Sequence, residues 1–103
     1  MLSKDEKYSR LMELYNTIKD SQVVPPETIR SLYDTLGLSE DPDVLILFSL
    51  DKASAFYKRI TGVDAMMYIS SLANLNPTVT SDVSNVCRSL LLSLIVEVMK
   101  PLL

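Results

Sequence analysis

The chain has 103 residues, of which 48% are hydrophobic and 22% are charged, and its formal net charge is −3. This length suits one domain that buries about 65% of its unfolded surface. The acidic balance disfavours nucleic acid and membrane surfaces as partners, because both attract a basic face. The absence of histidine excludes histidine-based catalysis and typical zinc sites.

Cys87 is the only cysteine, so no internal disulfide can form. We therefore expect an intracellular protein, cytoplasmic or nuclear. The first residues are charged early and contain no apolar run, unlike a signal peptide. The most apolar stretch, at 90–96, is interrupted by Ser93 and is shorter than the ~20 residues that span a bilayer. We expect no cofactor, no metal and no membrane partner.

Two amphipathic helices are predicted first. Apolar residues recur at three- and four-residue spacing over about 3–19, which is typical of a helix with one buried face. A loop follows, and two prolines at 25–26 open the second helix, because proline is tolerated in a first helical turn. Gly37 is predicted to end that helix in a left-handed cap, with Leu38 folding back onto it.

The central helix is predicted over about 42–57. Five consecutive apolar residues at 44–48 leave it no polar face through more than one turn, which is typical of a helix surrounded by the rest of the fold. Asp41 is suited to cap this helix. Thr61 is then predicted to cap a fourth helix that runs to about residue 72, with Asp64 at its third position.

The fifth helix is predicted to begin at Thr78 or Thr80 and to be ended by Pro101. Its apolar residues spread over about 200° of arc, against about 100° for an ordinary surface helix. The polar strip that remains consists of Asn85, Ser89, Ser93 and Glu97. Two readings stay open: either the helix is buried in its own domain, or part of it, including Leu91 and Ile95, forms a homodimer or partner-helix interface.

The first four helices repeat one plan of helix, loop and helix. β-branched residues before each second helix, at 23–24 and at Ile60, could pair as a short antiparallel bridge, as in paired EF-hands. Neither loop has the spaced oxygen ligands, central glycine and terminal glutamate that calcium needs. We predict an all-α, five-helix single domain over 1–103. It contains an EF-hand-like pair over about 3–75 that lacks calcium ligands, and a C-terminal apolar helix over about 79–100.

Three segments carry a further pattern of apolar positions and turns. They read IRSLYDTLGL at 29–38, VLILFSLD at 44–51 and ITGVDAMMYISSL at 60–72. This pattern resembles the potentiating-neddylation domain of the defective-in-cullin-neddylation family, in which the helices form an EF-hand-like pair without calcium. The resemblance covers about 11–75. The chain departs from the family at Phe48, where a tryptophan is expected, and the family's second half has no counterpart here.

The resemblance implies a protein that binds a cullin together with a ubiquitin-like conjugating enzyme, whose acetylated N-terminal methionine enters an apolar pocket. By position, Ile29, Leu47, Leu50 and Ile60 would line that pocket. The alternative is that all four are core residues.

We therefore expect a non-enzymatic interaction module, an adaptor that resembles the neddylation-promoting proteins. The alternative is a structural or oligomerising helical protein that acts through its C-terminal apolar helix and is unrelated to neddylation. An enzyme is not expected, because no spacing in the sequence sets a nucleophile beside a base.

Overall fold

The computed structural model describes residues 2–38, 49–78 and 82–103, and this part of the chain contains five α-helices and no β-strand. The helices are α1 (Lys4–Lys19), α2 (Pro26–Thr35), α3 (Leu50–Thr61), α4 (Ala65–Leu75) and α5 (Val83–Met99), and a 3₁₀ turn, Lys100–Leu102, follows α5. The predicted all-α, five-helix fold is thus confirmed.

The bounds of α1 and α2 agree with the sequence prediction. Ser3 caps α1: its Oγ accepts a hydrogen bond from the Glu6 backbone N–H at 3.1 Å and donates one to the Glu6 carboxylate at 3.0 Å. Gly37 follows α2 with φ +71°. The N–H of Leu38 then donates to the carbonyl of Tyr33 at 3.0 Å, which closes the left-handed cap.

Helix α3 begins later than the sequence predicts. Ser49 is extended (φ −82°, ψ 164°), and its Oγ accepts a hydrogen bond from the Lys52 backbone N–H at 3.3 Å. A serine in this conformation is a helix cap, so the helix starts at Leu50. The prediction of one unbroken helix from Pro42 is therefore wrong at Ser49. The rest of that prediction, residues 42–48, lies outside the described residues.

The junction between α3 and α4 also differs from the prediction. Thr61 was expected to cap α4, but it is the last residue of α3 and donates its hydroxyl to the Tyr57 carbonyl at 2.7 Å. Gly62 then turns the chain with φ +75°, a conformation that costs glycine little. Asp64 caps α4 by accepting a hydrogen bond from the Met66 N–H at 2.9 Å.

The connections within the two helix pairs are short. Residues 20–25 join α1 to α2, and residues 62–64 join α3 to α4. A calcium-binding EF-hand loop has about 12 residues, so both connections are shorter than such a loop.

Ile60 lies inside α3, and no β-bridge occurs within 2–38, 49–78 and 82–103. The predicted bridge between 23–24 and Ile60 is therefore wrong, because α3 continues to Thr61. The order of the helices agrees with the predicted EF-hand-like pair, and the way in which the two halves pair in space stays a prediction.

Helix α5 begins at Val83, because Asp82 caps it by accepting a hydrogen bond from the Ser84 N–H at 2.9 Å. The predicted start at Thr78 is too early, and the other predicted start, Thr80, lies outside the described residues. The helix gives way at Met99 to the 3₁₀ turn that contains Pro101.

Helix α5 is the centre of the fold. It packs most extensively against α3 and next against α1, while α2 packs on α1 and α4 packs on α3. The helix therefore lies between the α1–α2 and α3–α4 pairs. The residues of α5 that are at most 1% exposed are Leu90, Leu91, Leu94 and Ile95. Each buried leucine or isoleucine contributes about 1.5–3 kcal/mol, so this helix stabilises both pairs at once.

One hydrogen bond and one aromatic contact hold the other helices and their connections in position around this core. Arg88 of α5 donates a hydrogen bond from Nη1 to the Ser21 carbonyl at 2.6 Å, which holds the α1–α2 connection against α5. The rings of Tyr33 in α2 and Phe56 in α3 lie with their centroids 4.7 Å apart. That aromatic contact joins the two helix pairs directly.

Candidate protein-interaction surfaces

Helix α4 is apolar, yet most of it is exposed. Its 11 residues include no charged side chain, and Ala65 is the only one of them that is buried. Met66, Met67 and Leu75 are 59%, 68% and 85% exposed; we call these three residues the α4 surface. A helix normally turns its apolar residues inward, so exposed apolar side chains on an uncharged helix make the α4 surface a candidate interaction surface.

A groove of about 310 Å³ lies beside α4, above the outward side of α5. We call it the tyrosine groove, because one tyrosine from α1 and another from α4 take part in its lining. Two serines and two aliphatic residues of α5 complete it. The lining residues are Tyr15, Tyr68, Ser89, Leu92, Ser93 and Val96. None of these six described lining residues is charged.

Hydrogen bonds hold the tyrosine side of this groove in place. The hydroxyls of Tyr57 in α3 and Ser93 in α5 share a hydrogen bond of 3.1 Å. Tyr68 donates its hydroxyl to the Ser89 carbonyl at 3.4 Å, and its ring stacks on that of Tyr57 with a centroid separation of 5.7 Å. The ring of Tyr68 is therefore positioned by both α3 and α5.

The hydroxyl groups of the groove are hydrogen-bond donors. Burial raises the pKa of Tyr68, the neighbouring Tyr57 and Tyr15 hydroxyls raise it further, and the neighbouring Ser93 hydroxyl opposes them. Tyr68 therefore keeps its proton at neutral pH. The Tyr15 hydroxyl makes no hydrogen bond to any other described residue, so it is free to donate to a ligand.

The thiol of Cys87 does not line the tyrosine groove. Cys87 is buried, and burial raises the pKa of its thiol, which therefore stays protonated and weakly nucleophilic. In the described ranges no group of three acidic or cysteine side chains is placed to hold a metal ion. The tyrosine groove and the α4 surface present hydroxyl donors and apolar side chains to a ligand.

The pocket residues inferred from the family resemblance are not all brought together. Ile29 is buried in α2, Leu50 and Ile60 are partly buried against the core, and Leu47 lies outside the described residues. Leu50 and Ile60 are ten positions apart in α3, which corresponds to about 15 Å along the helix. One methionine side chain does not span that distance, so Ile60 cannot share a methionine-sized pocket with Leu50.

Leu91 and Ile95, which the sequence suggested as part of a homodimer interface, lie in the core. They are 1% and 0% exposed, and both helix pairs cover the side of α5 that carries them. Of the two readings that the sequence left open, burial within the chain is the one that the structure shows for Leu91 and Ile95, and their assignment as interface residues is corrected, because two residues buried within one chain cannot also meet a second chain in the same fold.

The tyrosine groove was not found from the sequence. The sequence feature that points to the groove is the polar strip of α5 that includes Ser89 and Ser93. These two serines form part of the floor of the groove. The aromatic walls come from Tyr15 and Tyr68, whose distance in the sequence gives no indication that they meet. Their juxtaposition depends on how α1 and α4 dock on α5.

Comparisons with known proteins do not assign either surface: no family model, no curated protein and no solved structure matches the chain. Among the described helices, none combines the length and apolar character needed to cross a lipid bilayer. Function is therefore inferred from the geometry of the two surfaces.

Proposed function

We propose that the protein is a non-enzymatic protein–protein interaction module that binds its partner through the α4 surface. The observation that carries this proposal is an uncharged helix with two adjacent, mostly exposed methionines, Met66 and Met67. Methionine is flexible and polarizable, so such residues adapt to apolar partner surfaces. The partner is accordingly expected to present apolar rather than charged side chains.

The size of the α4 surface indicates how tightly it can bind alone. Burying each exposed apolar side chain against a partner gives about 1–2 kcal/mol, and three give about 3–6 kcal/mol. A dissociation constant of 1 mM already corresponds to about 4.1 kcal/mol. A tight complex therefore needs contacts beyond these three side chains, which the polar residues around them can supply.

A comparison of two methionine variants tests this proposal. Met67→Glu places a charge on the α4 surface, and Met12→Glu is the matched control because Met12 is an exposed methionine of α1. Immobilised wild type and Met12→Glu should capture the same partner from an extract, whereas Met67→Glu should lose it. Capture that is unchanged by Met67→Glu, in a variant whose circular dichroism shows normal folding, would contradict the assignment of this surface.

The resemblance to the neddylation family supplies the first partners to test, a cullin and a ubiquitin-like conjugating enzyme. An acetylated peptide that begins with methionine is the sharpest probe, because acetylation removes the charge that an apolar pocket would have to desolvate. The same peptide without the acetyl group is its control. Leu50→Ala should weaken binding about tenfold or more, with some loss of stability. If the acetylated peptide does not bind at hundreds of micromolar, the adaptor role in neddylation is withdrawn.

The alternative role is a structural or oligomerising protein. Since Leu91 and Ile95 lie in the core, self-association has to use exposed residues, and the α4 surface is a candidate because an uncharged surface can face its own copy without repulsion. Sedimentation of wild type at tens of micromolar distinguishes the roles. A monomer at that concentration removes the oligomerising role, and a dimer that Met67→Glu dissociates favours it.

A further inference from the structure

We propose that Met66 and Met67 form a modification site, at which hydrogen peroxide converts both side chains to methionine sulfoxide and thereby weakens binding at the α4 surface. The location of the site follows from the exposure of these side chains and from the packing of α4. Its effect on a partner rests on the proposed function, because that function assigns partner binding to the same surface.

The exposure of the sulfur-containing side chains singles out α4. A peroxide molecule has to reach the sulfur atom, and Met66 and Met67 are 59% and 68% exposed. Met12 is 41% exposed, whereas Met99 is 8% exposed. The Cys87 thiol is buried and its pKa is raised by burial, so little of it is the thiolate that reacts with peroxide. Among the described residues, the methionine pair is therefore the most accessible target for an oxidant.

The packing of α4 separates the two methionines from the core. Helix α4 docks through Ala65, which is 2% exposed, and through Tyr68 and Ile69, which are partly buried against the core. At about 100° per residue, these three positions fall within an arc of about 100°. Met66 and Met67 lie outside that arc. A more polar side chain at these two positions therefore changes the surface and leaves the packing of the helix in place.

The reaction transfers an oxygen atom to each thioether. The O–O bond of hydrogen peroxide breaks, an S–O bond forms, the sulfur loses two electrons and water is released. The product is a polar sulfoxide in place of a flexible, apolar thioether. Methionine sulfoxide reductases reverse the change: a pair of thiols supplies two electrons and two protons, becomes a disulfide, and the oxygen leaves as water. The modification is therefore reversible.

Oxidation alters most of the α4 surface, because two of its three side chains carry the sulfur. Burying one exposed apolar side chain in a complex strengthens binding about 5- to 30-fold. A sulfoxide loses that gain, since its polar oxygen has to be desolvated without a partner. Peroxide should therefore weaken partner binding by about 5- to 30-fold for each sulfoxide that forms.

Peptide mass spectrometry of the folded protein after peroxide treatment tests the location of the site. Trypsin cleaves after lysine and arginine, so Met12, the Met66–Met67 pair and Met99 fall on three different peptides. We expect the pair to be oxidised at least about tenfold faster than Met99, with unchanged far-ultraviolet circular dichroism, and the rates to become equal in urea. Equal rates in the folded protein, or loss of helical signal as the pair is oxidised, would overturn the inference.

Retention on a phenyl matrix measures the apolar character of the surface without a partner. In a Met12→Leu background, which removes the exposed methionine of α1, peroxide should make the protein elute earlier, and reductase treatment should restore its elution. Adding Met66→Leu and Met67→Leu should abolish the shift, because leucine is apolar, similar in volume and free of sulfur. Adding Cys87→Ala instead should preserve it. An equal shift without the methionine pair, or no shift without Cys87, would overturn the assignment.

The effect on binding is measured with the protein that immobilised wild type captures and Met67→Glu does not. Peroxide-treated protein with the methionine pair should capture at least about 5-fold less of it, and the treated leucine variant should capture as before. If treated wild type captures normally while Met67→Glu does not, this inference is overturned and the proposed function stands. If Met67→Glu also captures normally, the proposed function fails and with it the effect of oxidation on binding.

Discussion

Two adjacent leucines in α5 provide a direct test of the fold. Leu91 is 1% exposed, whereas Leu92 is partly buried at the tyrosine groove. Leu91→Ala should cost about 2–5 kcal/mol, because it removes buried methyl groups and leaves a cavity. Leu92→Ala should cost about 1 kcal/mol, since water or the surrounding side chains can occupy the space. Leucine and alanine differ little in helix propensity, so the difference between the variants reports burial.

The measurement is urea denaturation of both variants and wild type, followed by far-ultraviolet circular dichroism. Thermal denaturation reports the same difference: for a chain of about 100 residues, 1 kcal/mol shifts the melting temperature by about 4–8 °C, so Leu91→Ala should melt about 8–40 °C lower than wild type. Leu91→Asp introduces an unpaired buried charge. Its cost is comparable to the whole stability of a small domain, about 5–15 kcal/mol, and this variant should not fold.

Two outcomes would refute this reasoning. If Leu91→Ala costs no more than Leu92→Ala, then Leu91 is not in the core. If Leu91→Asp gives a folded monomer and wild type sediments as a dimer, the side of α5 with Leu91 and Ile95 is an interface between chains. Either result would require a different packing of the helix pairs around α5.

Three further predictions follow from the connections and the titratable groups. Millimolar calcium should leave the melting temperature unchanged, and a shift of several degrees would contradict metal-free connections. Gly62→Ala and Gly37→Ala should each cost about 1–2 kcal/mol from positive φ alone, because nothing lies within 4 Å of the added methyl group; a loss near zero would contradict the left-handed caps. Folding raises the pKa of Tyr68 and of Cys87, so the unfolded chain releases these protons first and the free energy of unfolding should fall as pH rises past their ordinary values. In a Cys87→Ala background, Tyr68→Phe should reduce that loss in alkaline urea titrations, and an unchanged loss would contradict the partial burial of the Tyr68 side chain.

Sequence patterns were sufficient to predict the helices and several of the positions where they begin or end. The spacing of apolar residues predicted five helices, because a helix that buries one side repeats that side every three or four residues. Gly37 was identified as a cap, since the positive φ of glycine is a local property. Thr61 was not distinguished correctly from Asp64, because both residues are good caps and the position of the turn at Gly62 decides between them.

The sequence by itself determined the apolar character of α5. The tertiary structure decided which elements cover that helix. An arc of about 200° requires burial on several sides, but the same arc fits the core of one chain or an interface between two. The structure buries Leu91 and Ile95 because both helix pairs pack on α5. The tyrosine groove depended on the same docking. Tyr15 and Tyr68 lie on helices that do not adjoin in sequence, and no local pattern reports the distance between them.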